Sequence, residues 1–243
     1  MFAVLSGKGG TGKTSVCAGV AAALASAGKH VLCIDCDVGL RNLDISLGMS
    51  DSSSLSFLDV CQGDYSLEAA SGHAGFPTLR FLTAPMNCPV EEIQPEPFGE
   101  MLQKAREKFD YVFLDAPAGV DAGFRLVTAY ADRFLVVTGA GPAAVRDAAR
   151  VGDLLDMAGK QDVRLIVNRV SRSMLSTVRM TIDDVMDNTG LPLIGVVLED
   201  PNITLSAAFG VSIHQYAKHS DAARAFSRIA LRIQGFKKPI TLR

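Results

Sequence analysis

The sequence predicts an α/β protein built on a doubly wound, mostly parallel sheet of seven or eight strands, with helices on both faces. Two observations support this fold class. Short, nearly continuous runs of Val, Leu, Ile and Phe recur along the chain, as expected of strands that are covered on both faces. Segments with helical periodicity lie between these runs, and such strand–helix alternation is typical of parallel sheets.

Seven apolar runs have the length and composition of buried strands. They are Phe2–Leu5, Val31–Asp35, Leu79–Leu82, Tyr111–Asp115, Phe134–Thr138, Val163–Asn168 and Leu193–Leu198. Helices are expected around them, with Gly28 and Gly159 standing where two of the helices end. The predicted helices are Thr14–Ala27, Phe98–Lys108, Ala143–Ala158, Thr181–Asn188 and Ser220–Gln234.

No linker long enough to divide the chain and no internal repeat occurs, so we expect residues 1–243 to form one domain with a short tail at 235–243. We expect Asp51–Ser54 and Gln94–Pro97 to be surface loops. The formal net charge of −2 argues against a sequence-wide attraction to DNA or anionic lipid. Because there is no signal-peptide pattern and no apolar stretch of bilayer length, we expect a cytoplasmic protein.

The five cysteines do not suggest a redox or metal site. Cys33-x-x-Cys36 has the spacing of a redox motif, but it lies in a predicted strand, where an odd spacing points the two side chains to opposite faces. The histidines show no metal-ligand spacing with one another or with the cysteines. We therefore expect Cys33 and Cys36 to be small buried hydrophobic residues.

A glycine-rich segment between the first predicted strand and the first predicted helix has the spacing of a phosphate-binding loop. It reads Gly7-Lys8-Gly9-Gly10-Thr11-Gly12-Lys13-Thr14, followed by Ser15. Glycines let backbone amides turn toward a phosphate, and the start of the helix adds a favourable dipole. We expect this loop to bind ATP or ADP, with Lys13 bridging the β- and γ-phosphates of ATP and the Thr14 hydroxyl binding Mg²⁺. The alternative is a plain glycine-rich turn.

Carboxylates follow two of the predicted strands. Asp35 and Asp37 come at the end of the second strand, and Asp115 ends the strand Tyr111–Asp115. Because ligands of open α/β sheets bind beyond the carboxyl ends of the strands, these carboxylates are candidates to reach Mg²⁺, its waters or an attacking water. Gly119, just beyond Asp115, offers a backbone amide to the γ-phosphate. The alternatives are ordinary turn and helix-capping carboxylates.

These motifs resemble those of the MinD/ParA family of P-loop ATPases. Lys8 stands where that family has a second lysine in its phosphate-binding loop, and Asp35–Asp44 and Asp115–Gly119 look like the two switch segments of its MinD branch. The resemblance implies that Lys8 reaches across a dimer interface to the partner's nucleotide. It also implies that Asp37 orients the attacking water and that Asp35 lies near the metal.

Later segments extend the resemblance over nearly the whole chain. Asn168 and Arg169 fall where the family holds adenine, and Leu198–Asp200 falls where the backbone closes over the base. The branches that carry iron–sulfur clusters, deliver metals or act as tyrosine kinases are disfavoured, because no Cys follows Cys88 and no Tyr follows Tyr216. Nucleic-acid binding is not expected, since no stripe of Lys and Arg is evident.

The resemblance therefore implies a slow Mg²⁺-dependent ATPase that forms a homodimer with ATP, in septum placement and cell division, with an activator or effector of MinC or MinE type. A ParA-like partition ATPase, a MinD-like regulator of flagellar number and an ATP-dependent metabolic enzyme on the same fold stay open as alternatives. The MinD branch ends in a membrane-binding amphipathic helix. Such a helix is not evident here because Pro239 would interrupt it, so peripheral binding to the inner face of the cell membrane also stays open.

Overall fold

The structure is a computed structural model that describes residues 1–50, 54–86, 88–171 and 181–240. The predicted surface loop at 51–54 lies outside this range except for Ser54, as do the last three residues of the tail.

The described strands form one eight-stranded sheet. They span Phe2–Leu5 (β1), Val31–Asp35 (β2), Ser71–His73 (β3), Phe76–Leu82 (β4), Tyr111–Asp115 (β5), Arg133–Thr138 (β6), Asp162–Val170 (β7) and Leu193–Leu198 (β8). The strand order is β3-β4-β2-β5-β1-β6-β7-β8, and every neighbouring pair is parallel except β3 with β4. The predicted mostly parallel, doubly wound sheet is confirmed.

Most of the strands match the apolar runs of the sequence, but one strand was not predicted. The bounds of β1, β2, β5 and β8 are those predicted, whereas β4 begins earlier, at Phe76, and β7 runs on to Val170. The short antiparallel edge strand β3 was not predicted, because three residues with Gly72 at their centre carry no apolar signal.

Ten α-helices lie in the described ranges. They are Lys13–Ser26 (α1), Leu43–Leu47 (α2), Phe57–Cys61 (α3), Pro95–Lys108 (α4), Ala122–Tyr130 (α5), Pro142–Met157 (α6), Ile182–Thr189 (α7), Pro201–Ala208 (α8), Ile213–Tyr216 (α9) and Asp221–Ile233 (α10). All five predicted helices are present; Thr181 and Ser220 are N-caps, one residue outside the helices that they begin. Helices α2, α3, α5, α8 and α9 were not predicted, and most of them are too short to show a period.

Two apolar clusters cover the two faces of the sheet. On one face Val20 and Leu24 of α1 pack with Phe226 and Ile229 of α10. On the other face the buried residues come mainly from α4, α5 and α6, among them Leu102. Fully burying a side chain of this kind contributes about 1.5–3 kcal/mol, so both layers of helices are held to the sheet by apolar burial.

Cys33 and Cys36 belong to different clusters, one on each face, and both are buried. The interpretation of these cysteines as small buried hydrophobic residues is therefore confirmed. Among the helices of the described ranges, none is both long enough and apolar enough to cross a membrane.

Candidate functional site

The glycine-rich loop joins β1 to α1 at the carboxyl edge of the sheet. Gly10 and Gly12 have positive φ angles of 80° and 81°, which L-residues with a Cβ rarely adopt. Gly12 is the N-cap of α1, no side chain caps this end of the helix, and its first turn contains no acidic residue. The first amides of α1 are thus available to an anion at the positive end of the helix dipole.

Neighbouring elements hold this loop tightly. A Cβ added to Gly7 would come within 2.5 Å of the carbonyl oxygen of Asp147 on α6, and one added to Gly12 within 2.3 Å of Nδ2 of Asn168. The loop therefore fits between α6 and the end of β7 only if both positions lack a side chain.

Lys13 and Asp115 form a buried ion pair below the loop. Nζ of Lys13 lies 2.6 Å from Oδ1 of Asp115 and 3.5 Å from Oγ1 of Thr14, and the two charged side chains are 6% and 1% exposed. Burial alone would lower the pKa of Lys13, but the Asp115 carboxylate outweighs burial and holds that pKa above its ordinary value. Burial raises the pKa of Asp115, and Lys13 opposes that effect. The structure thus brings together three predicted site residues that stand up to 102 positions apart.

Asp35 braces the segment that follows β2. Its Oδ1 accepts a hydrogen bond from the amide of Asp37 at 2.9 Å, and its Oδ2 accepts one from the amide of Leu43 at 3.2 Å. Burial, with the nearby Asp115 carboxylate, raises the pKa of Asp35 to about 7, and the two amides oppose this rise. In this structure both carboxylate oxygens of Asp35, predicted as a metal-site residue, serve to shape the loop that carries Asp37.

The segment after Asp37 is also tied to the neighbouring strand. Arg41 has a positive φ of 46°, and its Nε donates to Oγ1 of Thr83, which follows β4, at 3.0 Å. Thr83 was not identified from the sequence, because nothing in the sequence shows that β4 lies beside β2. The side chain of Leu40, between Asp37 and Arg41, is 69% exposed.

Gly119 is placed beside the loop, but its amide is already occupied. The amide donates to the carbonyl oxygen of Ser6 at 2.9 Å, with a positive φ of 94° at Gly119. The amide that was expected to be available to the γ-phosphate is thus bonded to the start of the glycine-rich loop in this structure. A phosphate contact at Gly119 would need this hydrogen bond to exchange.

A cavity of about 200 Å³ opens beside the loop. Its lining includes Gly12, Ser15, Asn168, Arg169 and residues 198–200. Nδ2 of Asn168 donates to the carbonyl oxygen of Thr11 at 2.8 Å.

Arg169, at a positive φ of 56°, lines this cavity. It donates to the Gly10 carbonyl oxygen and to Oε1 of Glu199, each at 3.1 Å. Glu199 was expected here for its backbone, and its side-chain contact with Arg169 was not predicted.

Lys8, the second lysine of the glycine-rich loop, takes no part in the Lys13–Asp115 ion pair. It is exposed and makes no ion pair with a carboxylate in the described part of the chain. The structure therefore does not bring Lys8 to Lys13 or Asp115.

The polar groups around the loop fit a nucleotide with its metal. Among the described residues, four buried side-chain oxygens lack a hydrogen-bond partner, and those of Ser6, Thr11 and Asn168 lie on or beside the loop. Buried polar groups left unpaired are costly, so such a cluster suggests a site for a polar ligand. Within the described ranges, no three His, Cys, Asp or Glu side chains are grouped to hold a metal. A metal here would therefore share its ligands with phosphate oxygens, as Mg²⁺ commonly does.

Comparison with protein families matches residues 2–213 to the CobQ/CobB/MinD/ParA nucleotide binding domain. The septum site-determining protein MinD of Synechocystis sp. is 37% identical over 237 residues, which cover 97% of this chain and 89% of that protein. MinD of Bacillus subtilis is 34% identical over 241 residues, covering 98% and 90%.

Solved structures of similar proteins superpose closely. A MinC:MinD cell division protein complex from Aquifex aeolicus contains a chain with a TM-score of 0.90 and 31% identity, covering 99% of this chain and 98% of that one. MinD from Pyrococcus horikoshii, complexed with Mg-ADP, has a TM-score of 0.83 and 28% identity, with coverage of 96% and 94%.

Proposed function

Because this chain belongs to the CobQ/CobB/MinD/ParA nucleotide-binding family and, within it, to the septum site-determining MinD proteins, we propose that it is a Mg²⁺-dependent ATPase that switches between monomer and homodimer in septum placement. The observation that carries the proposal is the uncapped glycine-rich turn at the start of α1, with the buried Lys13–Asp115 pair below it. A turn of this shape supplies amides to an anion, and the pair supplies a cation for the phosphates and a carboxylate for the metal.

Nucleotide binding is assigned to the loop and the adjoining cavity. The amides of residues 7–15 surround the phosphates, Lys13 contacts the β- and γ-phosphates, and Gly119 meets the γ-phosphate once its amide leaves Ser6. The Thr14 hydroxyl and Asp115 hold the metal, directly or through water, and Asp35 acts on it through the loop that carries Asp37. The metal supplies charge neutralisation at the phosphates.

The base is assigned to the cavity beside β7 and β8. Asn168 offers its unpaired Oδ1 to the amine of adenine, and Arg169 closes the mouth of the cavity. Two hydrogen bonds to the loop support this assignment. Asn168 donates to the Thr11 carbonyl oxygen, and Arg169 donates to the Gly10 carbonyl oxygen.

Hydrolysis is assigned to the segment after β2 and to Lys8. Asp37 orients the attacking water, and Lys13 stabilises the charge that develops on the transferred phosphoryl group. Lys8 serves the nucleotide of a second copy, which accounts for its exposure and its lack of an ion pair in the described part of the chain. A cation supplied from a partner accelerates phosphoryl transfer by about 10³-fold or more in comparable NTPases.

The dimer is the form that an effector would recognise. One solved relative is a MinC:MinD complex, so we propose a MinC-type protein as effector of this chain and a MinE-type protein as its activator. We place the protein in the cytoplasm, with peripheral association at the inner face of the membrane as its second location.

Two measurements test the proposal. Phosphate release from ATP by the wild type should require Mg²⁺, and Lys13→Ala should abolish it while leaving the fold intact by circular dichroism. Light scattering should show that the Asp37→Ala variant forms a dimer with ATP. Adding Lys8→Ala to this variant should prevent the dimer. Hydrolysis by Lys13→Ala at the wild-type rate would exclude the ATPase assignment, and a monomeric Asp37→Ala protein with bound ATP would exclude the dimer.

A further inference from the structure

The ammonium of Lys13 occupies the position that a metal ion needs. It lies between the Asp115 carboxylate, at 2.6 Å, and the Thr14 hydroxyl, at 3.5 Å. These are the two oxygen ligands assigned above to Mg²⁺. Two cations cannot share this position, since each would be repelled by the other in a buried site of low dielectric.

Asp115 also depends on a cation. It is 1% exposed at the end of β5, which lies between β1 and β2, and Lys13 is the cation paired with it in the described part of the chain. Removing one partner of a buried ion pair leaves an uncompensated charge at high cost. Lys13 can therefore leave Asp115 for the phosphates only if another cation takes its place.

We propose that Lys13 and Mg²⁺ are alternative counter-ions of Asp115, so that Asp115 releases Lys13 toward the phosphates only when the nucleotide arrives with its metal. This inference rests on the proposed nucleotide site and adds a condition under which that site binds a nucleotide. A nucleotide without metal either leaves Asp115 unpaired or binds without Lys13. The ion pair thus makes the resting site selective for the metal complex over the free nucleotide.

The test compares ADP binding in EDTA with ADP binding in MgCl₂, by isothermal titration calorimetry on full-length protein. Asp115→Asn removes the charge that needs a counter-ion, so this variant should bind metal-free ADP about tenfold or more tighter than the wild type. Asp37→Asn is the matched control, because it removes one negative charge from the same cleft without touching Lys13. Its affinity for metal-free ADP should change by less than about threefold.

The outcomes separate the two claims. Tightening confined to Asp115→Asn supports the exchange of counter-ions. Equal effects of the two variants, or no tightening by Asp115→Asn, overturn it even if the wild type binds Mg-ADP well. A wild type that binds neither form of ADP instead contradicts the proposed function.

A second arm covers the case in which Asp115→Asn does not fold. Without nucleotide, Lys13→Met leaves Asp115 without its cation, so millimolar MgCl₂ should raise the melting temperature of this variant. The wild type and Lys8→Met, which loses an exposed lysine of the same loop, should show no such rise. Equal responses of Lys13→Met and Lys8→Met would overturn the inference.

Discussion

The side-chain amide of Asn168 donates to the carbonyl oxygen of Thr11 over 2.8 Å, although the two residues stand 157 positions apart in the sequence. This bond commits Nδ2 to the glycine-rich loop, so Oδ1 is turned away from it, buried and without a partner in this structure. A buried acceptor without a donor costs about 1–3 kcal/mol. The amine of adenine would remove that cost, whereas guanine presents a carbonyl oxygen at the same ring position. In the proposed site, Asn168 would thus link the shape of the loop to the choice of base.

Asn168→Ala is therefore expected to weaken ATP binding by roughly tenfold and to reduce the preference for ATP over GTP. Competition of both nucleotides against a fluorescent ADP analogue measures the two affinities. Asn188→Ala is the control, because Asn188 is an exposed asparagine whose Nδ2 donates to the Asp184 carbonyl oxygen within α7. An unchanged ratio of ATP to GTP affinity in Asn168→Ala would show that Oδ1 does not read the base.

Gly12→Ala and Gly10→Ala form a matched pair that isolates this contact. Both glycines have φ near +80°, so both substitutions carry a similar backbone cost of about 1–2 kcal/mol. A Cβ at Gly12 would meet Nδ2 of Asn168 at 2.3 Å, whereas one at Gly10 has nothing within 4 Å.

We expect Gly12→Ala to lose more thermal stability than Gly10→Ala, and also to lose at least about tenfold more affinity for Mg-ADP, because Asn168 is displaced. Melting temperatures and calorimetric affinities measure the two effects separately. Equal affinities of Gly10→Ala and Gly12→Ala for Mg-ADP would count against the role assigned to Asn168.

The sequence allowed the sheet and the glycine-rich loop to be predicted because both depend on local signals. Apolar runs located β1, β2, β5 and β8 with their bounds, since buried parallel strands are apolar along their whole length. Helix α3 was missed although Ser56 and Asp59 form a capping box at its start, a signal that was available in the sequence.

Other features could not be predicted, because they depend on which strands become neighbours. The Arg41–Thr83 hydrogen bond exists because β4 pairs with β2. The amide of Gly119 is occupied because the Asp115 strand lies beside β1, which brings Gly119 to Ser6. The motif predicts that Gly119 lies near the phosphate, but it does not indicate that the Ser6 carbonyl oxygen accepts a hydrogen bond from the Gly119 amide.

His73, which is buried, and His214, which is half-buried, should each contribute stability that is lost in acid. Nε2 of His73 lies 2.8 Å from the Leu47 carbonyl oxygen, and Nδ1 accepts from the amides of Gly75 and Phe76, so the ring is held neutral. Burial lowers the pKa of His73, and burial likewise lowers the pKa of His214, whose Nε2 contacts the Gly19 carbonyl oxygen.

At these two residues, below the ordinary histidine pKa of about 6.5, the unfolded chain binds more protons than the folded chain, so their contribution to stability falls as the pH decreases from 7 toward 5. Asp35, whose pKa is raised to about 7, contributes in the opposite direction. Each histidine contributes at most about 1.4 kcal/mol per pH unit to this slope. His73→Gln and His214→Gln should each make the dependence shallower, as measured by urea unfolding at pH 7.5, 6.5 and 5.5. Slopes identical to that of the wild type would show that neither ring is kept neutral by the fold.

Arg169 is expected to control nucleotide release through the loop and only weakly through its ion pair. Its guanidinium joins the Gly10 carbonyl oxygen to Glu199, and the two charged side chains are 56% and 54% exposed. An exposed pair of this kind contributes about 0–1 kcal/mol, so Glu199→Gln should change the dissociation rate of a fluorescent ADP analogue by less than about fivefold. Arg169→Ala also removes the contact with Gly10, and we expect dissociation to be about tenfold or more faster.

The positive φ of Arg169 supplies the control for this prediction. Alanine at this position keeps the backbone strain of a left-handed residue, whereas glycine relieves it. Arg169→Gly should therefore unfold at a higher temperature than Arg169→Ala while releasing the nucleotide equally fast in stopped-flow measurements. If Glu199→Gln released the nucleotide as fast as Arg169→Ala, the ion pair rather than the bond to Gly10 would be what closes the cavity, because only the ion pair is lost in both variants.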